Sequence, residues 1–119
     1  MTRIWIGLGA LAGLLTVAMA AVTAHASPDE AARQIAQSAV EMQGWHALAL
    51  LGTGLWAPRG GRLADLAGAA FVVGTLAFCG AVYLLAFAGL HAGPLAPVGG
   101  TVLMLGWALL GLSAIRPAR

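Results

Sequence analysis

The sequence predicts an all-α, polytopic membrane protein: four transmembrane helices in an antiparallel bundle, with a short surface helix after the first span. Three observations carry this. The 119 residues are 61% apolar and only 8% charged, against about 25% charged in soluble domains. Four apolar stretches meet or approach the ~20 residues a helix needs to cross a ~30 Å hydrocarbon core. The basic residues are all arginine and stand in small groups between those stretches. The formal charge of +2 is therefore a topology signal, and no basic patch calls for a nucleic acid.

The first span is expected from Ile4 to about Ala24 and the second from about Ser38 to Ala57. Between them "HASPDEAARQIAQ" is polar enough to leave the membrane, and Ser27-Pro28-Asp29-Glu30 reads as a helix start. A short surface helix is expected there. "PRGGR", Pro58 to Arg62, reads as a tight polar turn, with Asp65 serving the start of a third span over Leu66 to Leu90. "HAGPLAP", His91 to Pro97, reads as a second turn. Pro97 then opens a fourth span over Val98 to Ile115. One domain of residues 1–119 contains all four.

Short cytoplasmic loops carry the excess of Lys and Arg. Arg3, Arg59, Arg62, Arg116 and Arg119 fall on one side of this layout, and Arg33 alone on the other, beside Asp29 and Glu30. Both termini are expected to be cytoplasmic in a cell (inner) membrane, with Trp5 and Trp56 at that interface. "AHA", Ala24 to Ala26, fits a signal-peptidase site, which would leave three spans and an outer N-terminus. The length of the first span argues for retention, because a signal-peptide apolar region runs ~7–15 residues.

Polar residues within spans are costly and are functional candidates by default. They gather at the outer end: His25 closes the first span, Glu41, Gln43 and His46 lie in the second, and Tyr83 lies in the third. His46 falls ~12 Å below a start at Ser38, and Glu41 only ~5 Å. At ~100° per residue, Gln43 and His46 share a face, whereas Glu41 is ~140° from His46 and does not. A three-point ligand set would need His25 or Tyr83 from neighbouring helices. Otherwise Gln43 and His46 hydrogen-bond across helices, while Glu41 snorkels or pairs with Arg33.

Small residues mark close helix contact in lipid. Gly9 and Gly13 form a G-x-x-x-G, Gly80 adjoins Cys79, and Gly99 with Gly100 sits in the first turn of the fourth span. Trp107 falls near mid-membrane and is expected to fill the bundle interior. A single cysteine excludes an internal disulfide. No nucleophile with a base, phosphate loop or paired carboxylates are visible. The expected function is non-enzymatic, without a cofactor: a membrane protein whose outer polar cluster is structural or binds a small ligand or partner. One alternative is a transporter or channel subunit with a proton or cation path along His46 and Glu41. Another is a metal or haem carrier on His25 and His46. Expected partners are membrane lipids and, through close helix contacts, a second copy or a larger membrane complex.

Several segments together resemble the YgdD-like family, small bacterial inner-membrane proteins of unknown function. They are "AHA" after the first span, "EMQGWHALALLG" (Glu41 to Gly52), "FCGAVYLLAF" (Phe78 to Phe87) and "APVGGTVLMLGWALLGLSA" (Ala96 to Ala114). The resemblance implies a four-span bundle that keeps its A-H element. It carries over His25, Glu41, Gln43, His46, Tyr83, Pro97, Gly99, Gly100 and Trp107 as positions matching the family pattern. Two features depart: "AAVTAH" stands where the family has a G-A-x-G-A-H run, and Cys79 stands where it has a serine.

Overall fold

A computed structural model describes residues 1–116; the expectation for Arg119 lies outside the described residues. Among these the chain is all helical, in three helices long and apolar enough to cross a membrane. Helix α1 spans Thr2–Ala26, α2 spans Glu30–Tyr83 and continues as a π-helical stretch over Leu84–Ala88, and α3 spans Leu95–Ile115. The wide π turn ends at Gly89, whose left-handed backbone (φ 66°) needs a residue without a Cβ.

Helix α2 is not straight. Fifty-four helical residues would measure ~81 Å at 1.5 Å each, yet the molecule's longest dimension is 52 Å. The break is Gly61, at φ 60° and ψ −146°, a region open essentially to glycine alone. There the chain doubles back into a first arm (residues 30–60) and a second arm (residues 62–83). The arms point opposite ways and lie side by side, since Cys79 Sγ donates to the Ala39 carbonyl at 3.4 Å although 40 residues separate them.

The outer helices use opposite faces of this hairpin. Both α1 and α3 pack on α2, but no Cα of one comes within 8 Å of the other among the described residues. Small residues permit the approach: a Cβ on Gly9 would stand 3.0 Å from the Ala47 carbonyl oxygen, and one on Gly99 2.5 Å from the Phe78 nitrogen. Gly68 admits the Trp5 indole and Gly106 the Phe71 ring in the same way. The buried apolar centre is Leu50, Ala67, Phe71 and Leu103. Outside it, long apolar side chains such as Val17, Leu55, Leu76 and Ile115 are exposed. A continuous apolar exterior of this extent marks contact with lipid rather than water.

Four expectations are corrected. No separate surface helix follows α1: Asp29 Oδ1 accepts from the Ala32 N–H at 2.7 Å, and the helix it caps runs unbroken into the first arm. The start signals at Pro28 and Asp29 are genuine, but no breaker stands between Glu30 and Ser38 to stop propagation. Second, the "PRGGR" reversal is confined to Gly61, and Pro58 lies within helical backbone. Asp65 caps nothing; its Oδ1 accepts from Trp5 Nε1 at 2.8 Å. Third, α3 begins at Leu95, so Gly99 and Gly100 occupy its second turn. Fourth, Trp107 is 49% exposed; the ring filling the interior is Phe71.

Trp5 joins α1 to the second arm, and Trp56 Nε1 donates to Ser113 Oγ at 2.9 Å, joining the first arm to α3. These two indoles bring the start of α1 and the end of α3 to the Gly61 end. Arg3, Arg59, Arg62 and Arg116 therefore share one end of the molecule, and His25, Asp29, Glu30 and Arg33 lie at the other.

Candidate functional site

The polar groups that turn inward belong to the two arms and are met by the outer helices. Gln43 and His46 stand three residues apart on one face of the first arm, and both are buried. Gln43 bridges two neighbours. Its Nε2 donates to the Ala12 carbonyl of α1 at 3.3 Å, and its Oε1 accepts from the Tyr83 hydroxyl at 2.7 Å. The Ala12 carbonyl also accepts from Thr16 Oγ1 at 2.7 Å. One glutamine thus ties α1 to the far end of the second arm at a fixed height.

His46 is 3% exposed and both ring nitrogens are engaged. Nε2 lies 3.0 Å from Trp107 Nε1 on α3, and Nδ1 lies 2.6 Å from the Met42 carbonyl. An indole N–H only donates, so Nε2 must accept, and the proton must sit on Nδ1, where it is donated to Met42. The partners thereby assign a single tautomer of the ring. The ring also meets Phe71 of the second arm, with centroids 5.6 Å apart, and Phe71 meets Trp107 edge-on at 5.1 Å. Three helical segments therefore converge on His46.

The remaining predicted residues do not join this group. Glu41 is exposed, on the face away from Gln43 and His46. Arg33 pairs with Glu30 at 2.7 Å rather than with Glu41. His25 is exposed near the end of α1. Gly9 lies level with Ala47, so the sixteen residues from Gly9 to His25 set His25 ~24 Å from His46 along the helix axis. The two histidines cannot share a ligand within one chain. Of the glycines, Gly9 and Gly99 are closely approached, whereas a Cβ on Gly13 or Gly80 would meet nothing within 4 Å and one on Gly100 only Phe78 Cδ2 at 3.9 Å.

Chemically, the buried group is saturated. The Nε2 lone pair that a metal, haem iron or mobile proton would need is held by Trp107. Among the described residues, no three His, Cys, Asp or Glu side chains converge to form a metal site. Sequence reasoning found the inward face of the first arm from its three-residue spacing. It missed Trp107 as the partner of His46, although an indole N–H placed deep in an apolar span usually finds an acceptor. It also missed the pairing of Trp5 with Asp65.

Comparison with known proteins follows the same lines. Residues 19–100 match the family described as "Protein of unknown function (DUF423)". A UPF0382 membrane protein of Haemophilus influenzae is 30% identical over 116 residues, covering 94% of each chain. A UPF0382 membrane protein of Staphylococcus epidermidis is 29% identical over 96% of this chain and 97% of its own. The UPF0382 inner membrane protein YgdD of Escherichia coli K12 is 32% identical over 99% of this chain and 94% of its own. No solved structure matches the chain.

Proposed function

Because the chain belongs to the DUF423 family of membrane proteins of unknown function, we propose that it is a non-enzymatic, four-span bundle of the inner membrane whose buried polar groups hold the helices in register. In this reading α1, each arm of α2, and α3 each cross once. Both termini and the Gly61 turn face the cytoplasm, and the "AHA" element is retained in the bundle. Support for the orientation comes from Arg3, Arg59, Arg62 and Arg116, which lie at one end as the excess of basic residues on cytoplasmic loops requires.

The observation that carries the register role is the hydrogen bond from Trp107 to His46. A proton path needs a side chain that exchanges its proton with water, and a carrier needs a free lone pair; His46 offers neither in this arrangement. In hydrocarbon the alternative to such a bond is an unsatisfied polar group, so Gln43 and His46 select the one helix register in which all their partners meet them.

Reconstitution tests this. Liposomes carrying the protein and a pH-sensitive dye are expected to acidify no faster than empty liposomes under an imposed potential, and His46→Ala is expected to lower thermal stability without changing that rate. Proton flux that is present in the native protein and lost in His46→Ala would overturn the register role. Orientation is read in cells expressing Cys79→Ala with one new cysteine. A membrane-impermeant thiol reagent is expected to label His91→Cys and spare Arg62→Cys, and the reverse pattern would overturn the topology. Intact mass near 12.0 kDa is expected if the "AHA" element is kept.

A further inference from the structure

At the end opposite Gly61, the last turns of α1 and the first turns of α2 part around a cavity of about 130 Å³, lined by Ala20, Thr23, Ala24, Arg33, Gln37 and Val40. Its floor is apolar and its polar groups are a hydroxyl, a guanidinium and an amide. At ~30 Å³ per water, it has room for about four waters, the scale of a tetrahedral oxyanion with its ester oxygens.

Thr23 is the informative residue. It is only 4% exposed, and its Oγ1 has no hydrogen-bond partner. Three threonines donate to the carbonyl four residues back, Thr16 to Ala12, Thr53 to Ala49 and Thr101 to Pro97. Thr75 Oγ1 is buried without a partner as well, but of these two hydroxyls it is Thr23 that lines a cavity. The Thr23 carbonyl is itself taken by Ser27 Oγ at 2.6 Å. A buried hydroxyl left without a partner costs about 1–3 kcal/mol, a cost that a ligand in the cavity would remove. Beside it Arg33 is half exposed and spends one guanidinium nitrogen on Glu30, leaving further donors of a planar fork that suits phosphate oxygens.

Charge narrows the ligand. Within one turn of Arg33 stand Asp29 and Glu30, so a bare anion would meet more negative than positive charge. A head carrying a phosphate and an ammonium side by side cancels both. Glu30 stands with its carboxylate 2.7 Å from the Arg33 guanidinium, beside the place a phosphate on that guanidinium would take, and so is positioned to receive the cation. Below the cavity, Val17 of α1, two turns before Ala24 and on its face, is an exposed apolar side chain along which an acyl chain can lie.

We propose that this cleft between α1 and α2 binds the head of an amine-bearing zwitterionic phospholipid, its phosphodiester held by Thr23, Arg33 and Gln37 and its ammonium by Glu30. The site lies at the end of the bundle remote from the arginine-rich end, and so in the outer leaflet under the topology proposed above. Lipid occupancy is read independently of that topology.

The experiment is native mass spectrometry of full-length, delipidated protein incubated separately with phosphatidylethanolamine, phosphatidylcholine, phosphatidylglycerol or inorganic phosphate. The expected result is one retained phosphatidylethanolamine per chain, in preference to the other two lipids. Thr23→Val and Arg33→Gln should each lower the retained fraction about tenfold, the size of one lost hydrogen bond to a charged group. Thr23→Ser, which keeps the hydroxyl, should restore it, and Arg62→Gln at the other end should leave it unchanged. Glu30→Gln should abolish the preference for phosphatidylethanolamine over phosphatidylglycerol. Retention unchanged in both Thr23→Val and Arg33→Gln overturns the site. Preferred phosphatidylglycerol overturns the zwitterionic assignment. A phosphate adduct sensitive to those two substitutions, with no lipid adduct, assigns the cleft to free phosphate and overturns the lipid.

Discussion

Replacing Trp107 with phenylalanine isolates the contact on which the register argument rests. The substitution removes the indole N–H that reaches His46 Nε2 at 3.0 Å, and leaves a six-membered ring to face Phe71, now 5.1 Å away between centroids. The part of the pyrrole ring that meets His46 is lost with the N–H, from a side chain that is 49% exposed overall. The main consequence is a buried acceptor without a donor, since His46 Nδ1 is committed to Met42. An unsatisfied buried group costs about 1–3 kcal/mol in soluble proteins, and cross-helix bonds in membranes average about 0.6 kcal/mol with a maximum near 1.7. Trp107→Phe is therefore expected to destabilise by about 1 kcal/mol. A double-mutant cycle with His46→Leu, measured by reversible unfolding in mixed micelles and followed by helicity, should return a coupling of similar size. Coupling below about 0.3 kcal/mol, the scatter of independent sites, would refute the claim that this bond holds α3 against the first arm.

Neighbouring glycines should respond oppositely. Gly99→Ala places a Cβ 2.5 Å from the Phe78 backbone nitrogen, a clash no side-chain rotation relieves, and should cost about 1–3 kcal/mol by overpacking. Gly100→Ala meets nothing closer than 3.9 Å and should be neutral or stabilising by up to about 1 kcal/mol through helix propensity; equal effects on unfolding would contradict the packing described. Gly61→Ala forces a Cβ into φ 60°, ψ −146° and should destabilise by about 1–3 kcal/mol, seen as a lower melting temperature in detergent. Asp65→Asn keeps an acceptor for Trp5 and should be tolerated, whereas Asp65→Leu leaves the indole N–H unpaired and should cost about 1–3 kcal/mol. Comparison of the two melting temperatures checks the pairing.

Composition and spacing were enough to read an all-helical membrane protein, because hydrocarbon admits only helices or closed barrels and apolar runs of this length suit helices. The inward placement of Gln43 and His46 was equally legible, since helical periodicity alone puts residues three apart on one face. The same periodicity set Glu41 on another. What the sequence could not convey was distance between segments remote along the chain. That Trp107 reaches His46, that Trp5 finds Asp65, and that His25 stands a long way from His46 depend on how far each helix slides along its neighbours. Glycine content showed where close approach was affordable, but Gly9 and Gly99 are used within the chain and Gly13 and Gly80 are not, because only the rotation of each packed helix decides which face meets a neighbour. Nor did local signals predict that Glu30 opens one continuous helix rather than a short surface piece. Start signals are local, whereas a helix stops only where backbone geometry or tertiary contact stops it, here at Gly61. Sequence by itself thus determined the solvent, the secondary structure and the inward faces, all of which follow from local chemistry. The tertiary structure alone decided which polar groups satisfy one another and which cavity is left with a hydroxyl unpaired, because those outcomes depend on the mutual placement of whole helices.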